Sequence, residues 1–185
     1  MSSDWTCATH GAVAPYSHHS VDALAQVASR SNVPVWLPAP LLPGWTATGL
    51  ASAGDERTGA TAVVVALAGP SPLGGPADLL LVAEEPGTGL GARIAGLPGV
   101  DPGSPDGAPD AKILVAGHPT ALWLCGSAPD RAAFVGEASG VWLWAVLWPP
   151  PAELILLDHV ELHDLRHEAH AGHDLPRGAA SPRLP

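Results

Sequence analysis

After Trp45 apolar and polar positions alternate mostly with a period of two, whereas before it one stretch carries a helical period. Between residues 20 and 30, Val21, Leu24, Val27 and Ala28 recur at helical spacing. Ser20 is placed as an N-cap, and Asp22 falls in the first turn, where a carboxylate favours the helix dipole. Asn32 and Pro34 close the element, so a helix is predicted from Ser20 to about Arg30. It is the only helix the pattern supports. The next segment, VPVWLPAPLLPGW at residues 33–45, holds four prolines, which forbid a helix and favour an extended path.

Beyond Trp45 the alternation predicts strands at residues 46–53, 60–68, 78–84, 112–116, 120–125, 131–137, 141–148 and 153–162, bounded by Gly, Pro and Asp clusters. Gly117-His118 and Ser139-Gly140 are expected to be tight hairpin turns. Residues 97–110, LPGVDPGSPDGAPD, lack periodicity and are expected to form a mobile loop. The strand VWLWAVLW is apolar on both faces: Trp142, Trp144, Val146 and Trp148 share one, and Val141, Leu143, Ala145 and Leu147 the other. Such a strand is either central and covered on both sides, or part of a partner surface. The predicted helix and the Pro-rich segment are the expected cover for the Trp face; Trp142, Trp144 and Trp148 are otherwise a candidate interface in a homo-oligomer.

The chain of 185 residues is long enough for one domain with a core that needs no disulfide staples, and 46% of it is apolar. Three regions follow: an irregular segment 1–19, a domain 20–166, and a polar, His-rich tail 167–185 that is expected to fray. The formal charge of −10, with eight Lys plus Arg, argues against a nucleic-acid surface. No apolar run reaches the roughly 18–20 residues that span a bilayer, and the N-terminus MSSDWTCATHG has no signal-peptide pattern. Two widely separated cysteines, Cys7 and Cys125, form no disulfide framework, so a reducing cytoplasm is the simplest compartment.

The most suggestive motif is AEEPGTGLGARIAG, residues 83–96, where Gly87-x-Gly89-x-x-Ala92 fits a dinucleotide fingerprint. A phosphate site of that kind needs a strand, a glycine turn and a helix whose N-terminal amides face the ligand. Only Arg93-Ile94-Ala95 separate Ala92 from Gly96, which leaves no room for that helix, and the expected acidic partner falls on Asp106 or Asp110 in the loop. A glycine-rich turn is therefore expected. Glu84, Glu85, Gly87, Gly89, Gly91 and Arg93 make it a candidate site for a small polar ligand or a peptide end. An enzyme acting on an acyl or phosphorylated substrate through Glu84, Glu85 and Arg93 is the alternative.

Cys7-x-x-His10 has the spacing of half a zinc site, but a structural zinc wants four ligands. The tail places His163, His167, His170 and His173 near one another in sequence, yet His167-Glu168-Ala169-His170 is one residue short of the metalloprotease motif.

The runs VPVWLP…LPGW, SAGDERTGATAV, GPSPLGGPADLLLVAEEPGTGLGARIAG, DRAAFVGEASGVWLWAVLWP and ASPRL together resemble an uncharacterised actinobacterial family whose members are often labelled "phosphotransacetylase family". The resemblance covers nearly the whole chain. It implies a domain of unknown function, with Trp5-Thr6-Cys7-Ala8-Thr9-His10-Gly11 matching the second half of an N-terminal zinc ribbon whose first cysteine pair is missing. A zinc-dependent regulatory or assembly role involving Cys7 and His10 follows from that resemblance. The layout is also similar to the curved sheets of lipoprotein-carrier-like domains, which bind ligands. The expected fold is α+β: a curved, mostly antiparallel sheet of about six to eight strands with one N-terminal helix packed on it. The expected function is a non-enzymatic cytoplasmic module that binds a protein or a small ligand.

Overall fold

In the computed structural model, which describes residues 6–7, 11–12, 16–18, 23–55, 57–103, 106–168 and 175–184, strands are the main regular structure beyond Trp45. β1 (Thr6–Cys7) and β2 (Gly11–Ala12) pair as a small antiparallel ribbon. The main sheet contains β3 (Tyr16–His18), β4 (Trp36–Pro38), β5 (Thr46–Asp55), β6 (Gly59–Pro70), β7 (Pro76–Glu84), β8 (Ala111–Val115), β9 (His118–Cys125), β10 (Ala132–Ala138), β11 (Val141–Trp148) and β12 (Glu161–Asp164). Their order across the sheet is β3-β5-β6-β7-β11-β10-β9-β8-β12-β4. Every pairing is antiparallel except β12 with β8.

The sheet curls into a half-barrel, so that β4 at one edge packs against β7 in the middle. Register shifts in β5, between Ala47 and Gly49 and between Ala53 and Gly54, are the kind of irregularity that bends a strand. Inside the curl lie Leu79, Leu81, Leu143, Ala145 and Leu147 of the central strands. They are covered by Leu24, Val27 and Ala28 of α1 (Ala23–Ala28), by Trp36 and Leu37 of β4, and by Ile155 and Leu156 of a 3₁₀ segment at Pro150–Leu157. The outer face carries Leu80, Val82, Trp144, Val146 and Trp148, covered by Leu90, Ala92, Ile94 and Ala95 of α2 (Leu90–Ala95), with Leu184 packed beside them.

Several expectations change. Among the described residues the α-helices are two, each of six residues: α1 follows three short strands rather than opening the fold, and α2 was not foreseen. Residues 6–7, 11–12 and 16–18 of the segment read as irregular are strands, and β3 joins the main sheet beside β5. The Pro-rich stretch supplies β4 at the opposite edge. The strand expected at 153–162 is instead the 3₁₀ segment followed by β12. Pro149, Pro150 and Pro151 remove three successive amide donors, which a sheet cannot tolerate but a helix start can.

β11 lies between β7 and β10, and both its faces are covered. The covers are exchanged relative to expectation: α1 and the Pro-rich segment pack on the Leu143 face, and α2 packs on the Trp144 face. Alternation along one strand does not tell which end of the chain will reach which face. The hairpins close at Ser139-Gly140, both with positive φ, and at Ala116-Gly117, one residue earlier than expected. Among the described residues no helix is long and apolar enough to cross a membrane.

Candidate functional site

The loop between β7 and α2 is built from its glycines outward. Gly89 has a φ of 80°, a left-handed conformation that L side chains rarely adopt, and it forms the N-cap of α2. Gly91, in the first turn, faces Trp144 so closely that a Cβ would fall 2.2 Å from the indole. Gly87 lies in open space and donates its N–H to Asp101 Oδ1 at 2.8 Å. One glycine thus permits a turn, one permits helix-on-strand contact, and one is held by a side chain from the following loop. The helix ends at Gly96, with Leu97 N–H donating to Ala92 O and Gly96 N–H to Arg93 O, which is a Schellman closure.

Strand, glycine turn and helix therefore do follow one another here, contrary to the expectation that no helix fits. The helix fits because it begins at Leu90, inside the fingerprint, and lasts only six residues. Its amide end is already closed. Glu84 Oε2 accepts from Leu90 N–H at 2.6 Å and from Gly91 N–H at 3.0 Å, while Oε1 accepts from Trp144 Nε1–H at 2.7 Å. Glu84 is fully buried, and its own carboxylate stands where an anionic ligand would meet such a helix start. Burial pushes the Glu84 carboxyl from 4.5 up to about 7, against the pull of the Gly91, Leu90 and Trp144 N–H groups, and the charge of Asp101 adds to the rise.

Asp101 organises the outer rim. Its Oδ1 accepts from both Gly87 N–H and Trp142 Nε1–H, the latter at 3.1 Å. Two indoles from one face of β11 thus each hold one carboxylate below the loop. Within 97–110, expected to form a mobile loop, Asp101 is bonded here, Gly107 O accepts from Trp123 Nε1–H and Asp110 Oδ2 from Leu124 N–H.

The other residues singled out from sequence fall as follows. Glu85 is half-buried at the start of the loop, with its N–H donating to Thr61 O. Arg93 is exposed on α2 and is not among the groups that bear on the Glu84 carboxyl. Trp144 and Trp148 are buried within the chain, and Trp142 is half-buried. Cys7 is described only through its backbone pairing with Gly11, and His10 lies outside the described residues. His163 contacts Glu168 and Glu161 at 2.7 and 3.5 Å, whereas His170 and His173 lie outside the described residues. Among the described residues no group of three His, Cys, Asp or Glu side chains is arranged to hold a metal ion. Burial, and after it Asp110, pushes the Cys125 thiol up to about 11, which keeps it protonated and unreactive.

Sequence reasoning did not find Asp101 or the indole partners of Glu84. Their association depends on the register that sets Glu84 opposite Trp142 and next to Trp144, and on a loop returning from residue 101. A separate hollow of about 170 Å³, lined by Lys112, Ile113, Pro119, Leu157, Asp158 and His159, involves none of these groups.

Fold and site together define a curled antiparallel-sheet protein whose glycine loop is sealed by its own carboxylate. The chain belongs to a family of unknown function, DUF6758, whose model matches residues 1–184. Neither the curated proteins nor the solved structures yield a match.

Proposed function

We propose that this protein is a non-enzymatic binding module that takes a protein segment or a small polar ligand at the loop surface around residues 85–101. The observation that carries the reading is the Glu84 carboxylate bonded to the first amides of α2. A phosphate or acyl-phosphate would have to displace a buried carboxyl group that already accepts three hydrogen bonds. What the loop presents outward is different in kind: half-buried Glu85 and Trp142, exposed Val100, and the Asp101 carboxylate that holds loop and indole in one arrangement. An ordered loop with acidic and apolar groups suits recognition, because little ordering remains to be done on binding.

The test is a thermal-shift screen with nucleotides, acetyl phosphate and coenzyme A on the full chain. A ligand at one hundred times its Kd stabilises by about 2.7 kcal/mol. No shift is expected with these compounds. A saturable shift with acetyl phosphate or coenzyme A, abolished by Glu85→Ala or Arg93→Ala, would replace this reading with that of an acyl- or phosphoryl-handling enzyme.

A further inference from the structure

The Glu84 carboxyl stands among donors. Its hydrogen-bond partners are the Leu90 and Gly91 amides on Oε2 and the Trp144 indole on Oε1. An amide or indole N–H donates and does not accept. Three donors suit an ionised carboxylate, which accepts on both oxygens. They do not suit the acid form. Its O–H brings a further proton to a group already ringed by three, and the oxygen that carries it accepts poorly. One bond must then weaken or break. Oε2 holds two amides and Oε1 a single indole, so a proton on Oε1 sacrifices fewer bonds, and the group it releases is Trp144 Nε1–H.

Burial works against this inventory of bonds. It disfavours the charge and brings the Glu84 carboxyl up to about 7, so neither form dominates strongly near neutral pH. Of the charged groups around it, Asp101 of the following loop bears on Glu84, and its like charge adds to the rise. Glu85 next in the chain, exposed Arg93 on α2, and exposed Glu137 of β10, which stands beyond Trp142 in the same cross-strand row, do not. β6 sets Ala62 opposite Glu84.

Release of the indole does not stay local. Trp144 is fully buried and lies so close to Gly91 that no Cβ fits between them. A helix of six residues has little stability apart from its packing. Leu90 and Gly91 open that helix, and Gly87 just ahead is bonded to Asp101, which also holds Trp142. A shift of Trp144 therefore reaches the start of α2 and, through it, the loop.

We infer that Glu84 is a proton-operated latch for the loop surface at residues 85–101: ionised, it holds the helix start and the Trp144 indole together, and protonated, it lets go of the indole and the helix start loosens. Acid thus favours the fold as a whole, by removing a buried charge, while it slackens this one loop. What the latch regulates rests on the binding reading above; its existence does not, and it is tested without any ligand.

The full chain, labelled with 15N, is followed by NMR from about pH 5 to pH 8.5, with the Trp144 indole signal assigned through Trp144→Phe. The Trp144 Nε1–H resonance is expected to titrate with a midpoint near 7. Protection of the Leu90 and Gly91 amides, corrected for the intrinsic effect of pH on exchange, is expected to fall by roughly tenfold or more from the alkaline to the acid side of that midpoint. Glu84→Gln, which cannot ionise, should abolish both responses. Asp101→Asn keeps an acceptor for Gly87 and Trp142 but removes the like charge, so it should move the midpoint down. A Trp144 signal that does not titrate, a titration without any change in amide protection, or the same titration in Glu84→Gln overturns the inference. If Glu84→Gln fails to melt cooperatively, Asp101→Asn decides: a midpoint that stays in place or rises overturns it.

Discussion

Glu84 accepts three hydrogen bonds without exposing any surface, and this makes it the residue whose replacement is felt most. Glu84→Ala strands two amides and an indole in a buried site, and each unpaired donor costs about 1–3 kcal/mol; urea unfolding should show a loss of several kcal/mol. Gly91→Ala forces a methyl into the Trp144 indole, an overpacking that costs roughly 1–3 kcal/mol or more. Trp144→Phe combined with Glu84→Ala should show a non-additive coupling above about 0.5 kcal/mol, because each single change already removes the bond from Trp144 Nε1–H to the Glu84 carboxyl. The pH dependence has a definite sign. The Glu84 carboxyl sits at about 7 in the folded chain against an ordinary 4.5, so the folded state holds its proton more tightly. Its contribution is complete below about pH 4.5 and lost as pH rises through 7. Measured as the difference between the native chain and Glu84→Gln, stability should rise by roughly 3 kcal/mol on going from pH 7.5 to pH 4.5. A flat or opposite difference would show that the N–H donors, not burial, set the ionisation of this group.

Among the elements, the loop 97–103 and strand β11 are joined by one carboxylate. Asp101→Ala removes the acceptor of both Gly87 N–H and Trp142 Nε1–H. These bonds lie at the surface, so the loss of global stability should be near 1 kcal/mol. Hydrogen exchange should rise sharply at Gly87 and across 97–103 while the β11 amides stay protected. β11 behaves oppositely. Leu143 is fully buried in the middle of the inner core, and Leu143→Ala should cost about 2–5 kcal/mol and raise exchange across the whole sheet. The arginine at the start of β10 belongs to this scale too. Arg131 donates to Ile94 O near the end of α2 and stands 4.9 Å from the Trp148 ring, so it ties the short helix to the sheet at the end where the helix carbonyls run out.

For the whole molecule, neighbours in the sheet are often distant in sequence: β7 pairs with β11, β12 with β8, and β4 with β12. Loop closure of that range precedes the gain from pairing, so folding should take milliseconds to seconds in stopped-flow measurements. The charge of −10 repels itself in the compact state. Raising NaCl from about 0.01 to 0.1 M shortens the Debye length from about 30 to about 10 Å, and the melting temperature should rise with it. The sequence by itself determined that the regular structure after Trp45 is mainly strand, that β11 runs from 141 to 148 apolar on both sides, and that Ser139-Gly140 turns a hairpin. Period-two alternation and turn chemistry are local properties and can be read where they stand. Only the tertiary structure decided that α2 and not α1 covers Trp144, that the Glu84 carboxylate closes the helix its own loop begins, and that residues 175–184 complete the edge of β5. Those outcomes depend on register and on which distant segment reaches an unpaired edge first, and alternation along one strand contains neither.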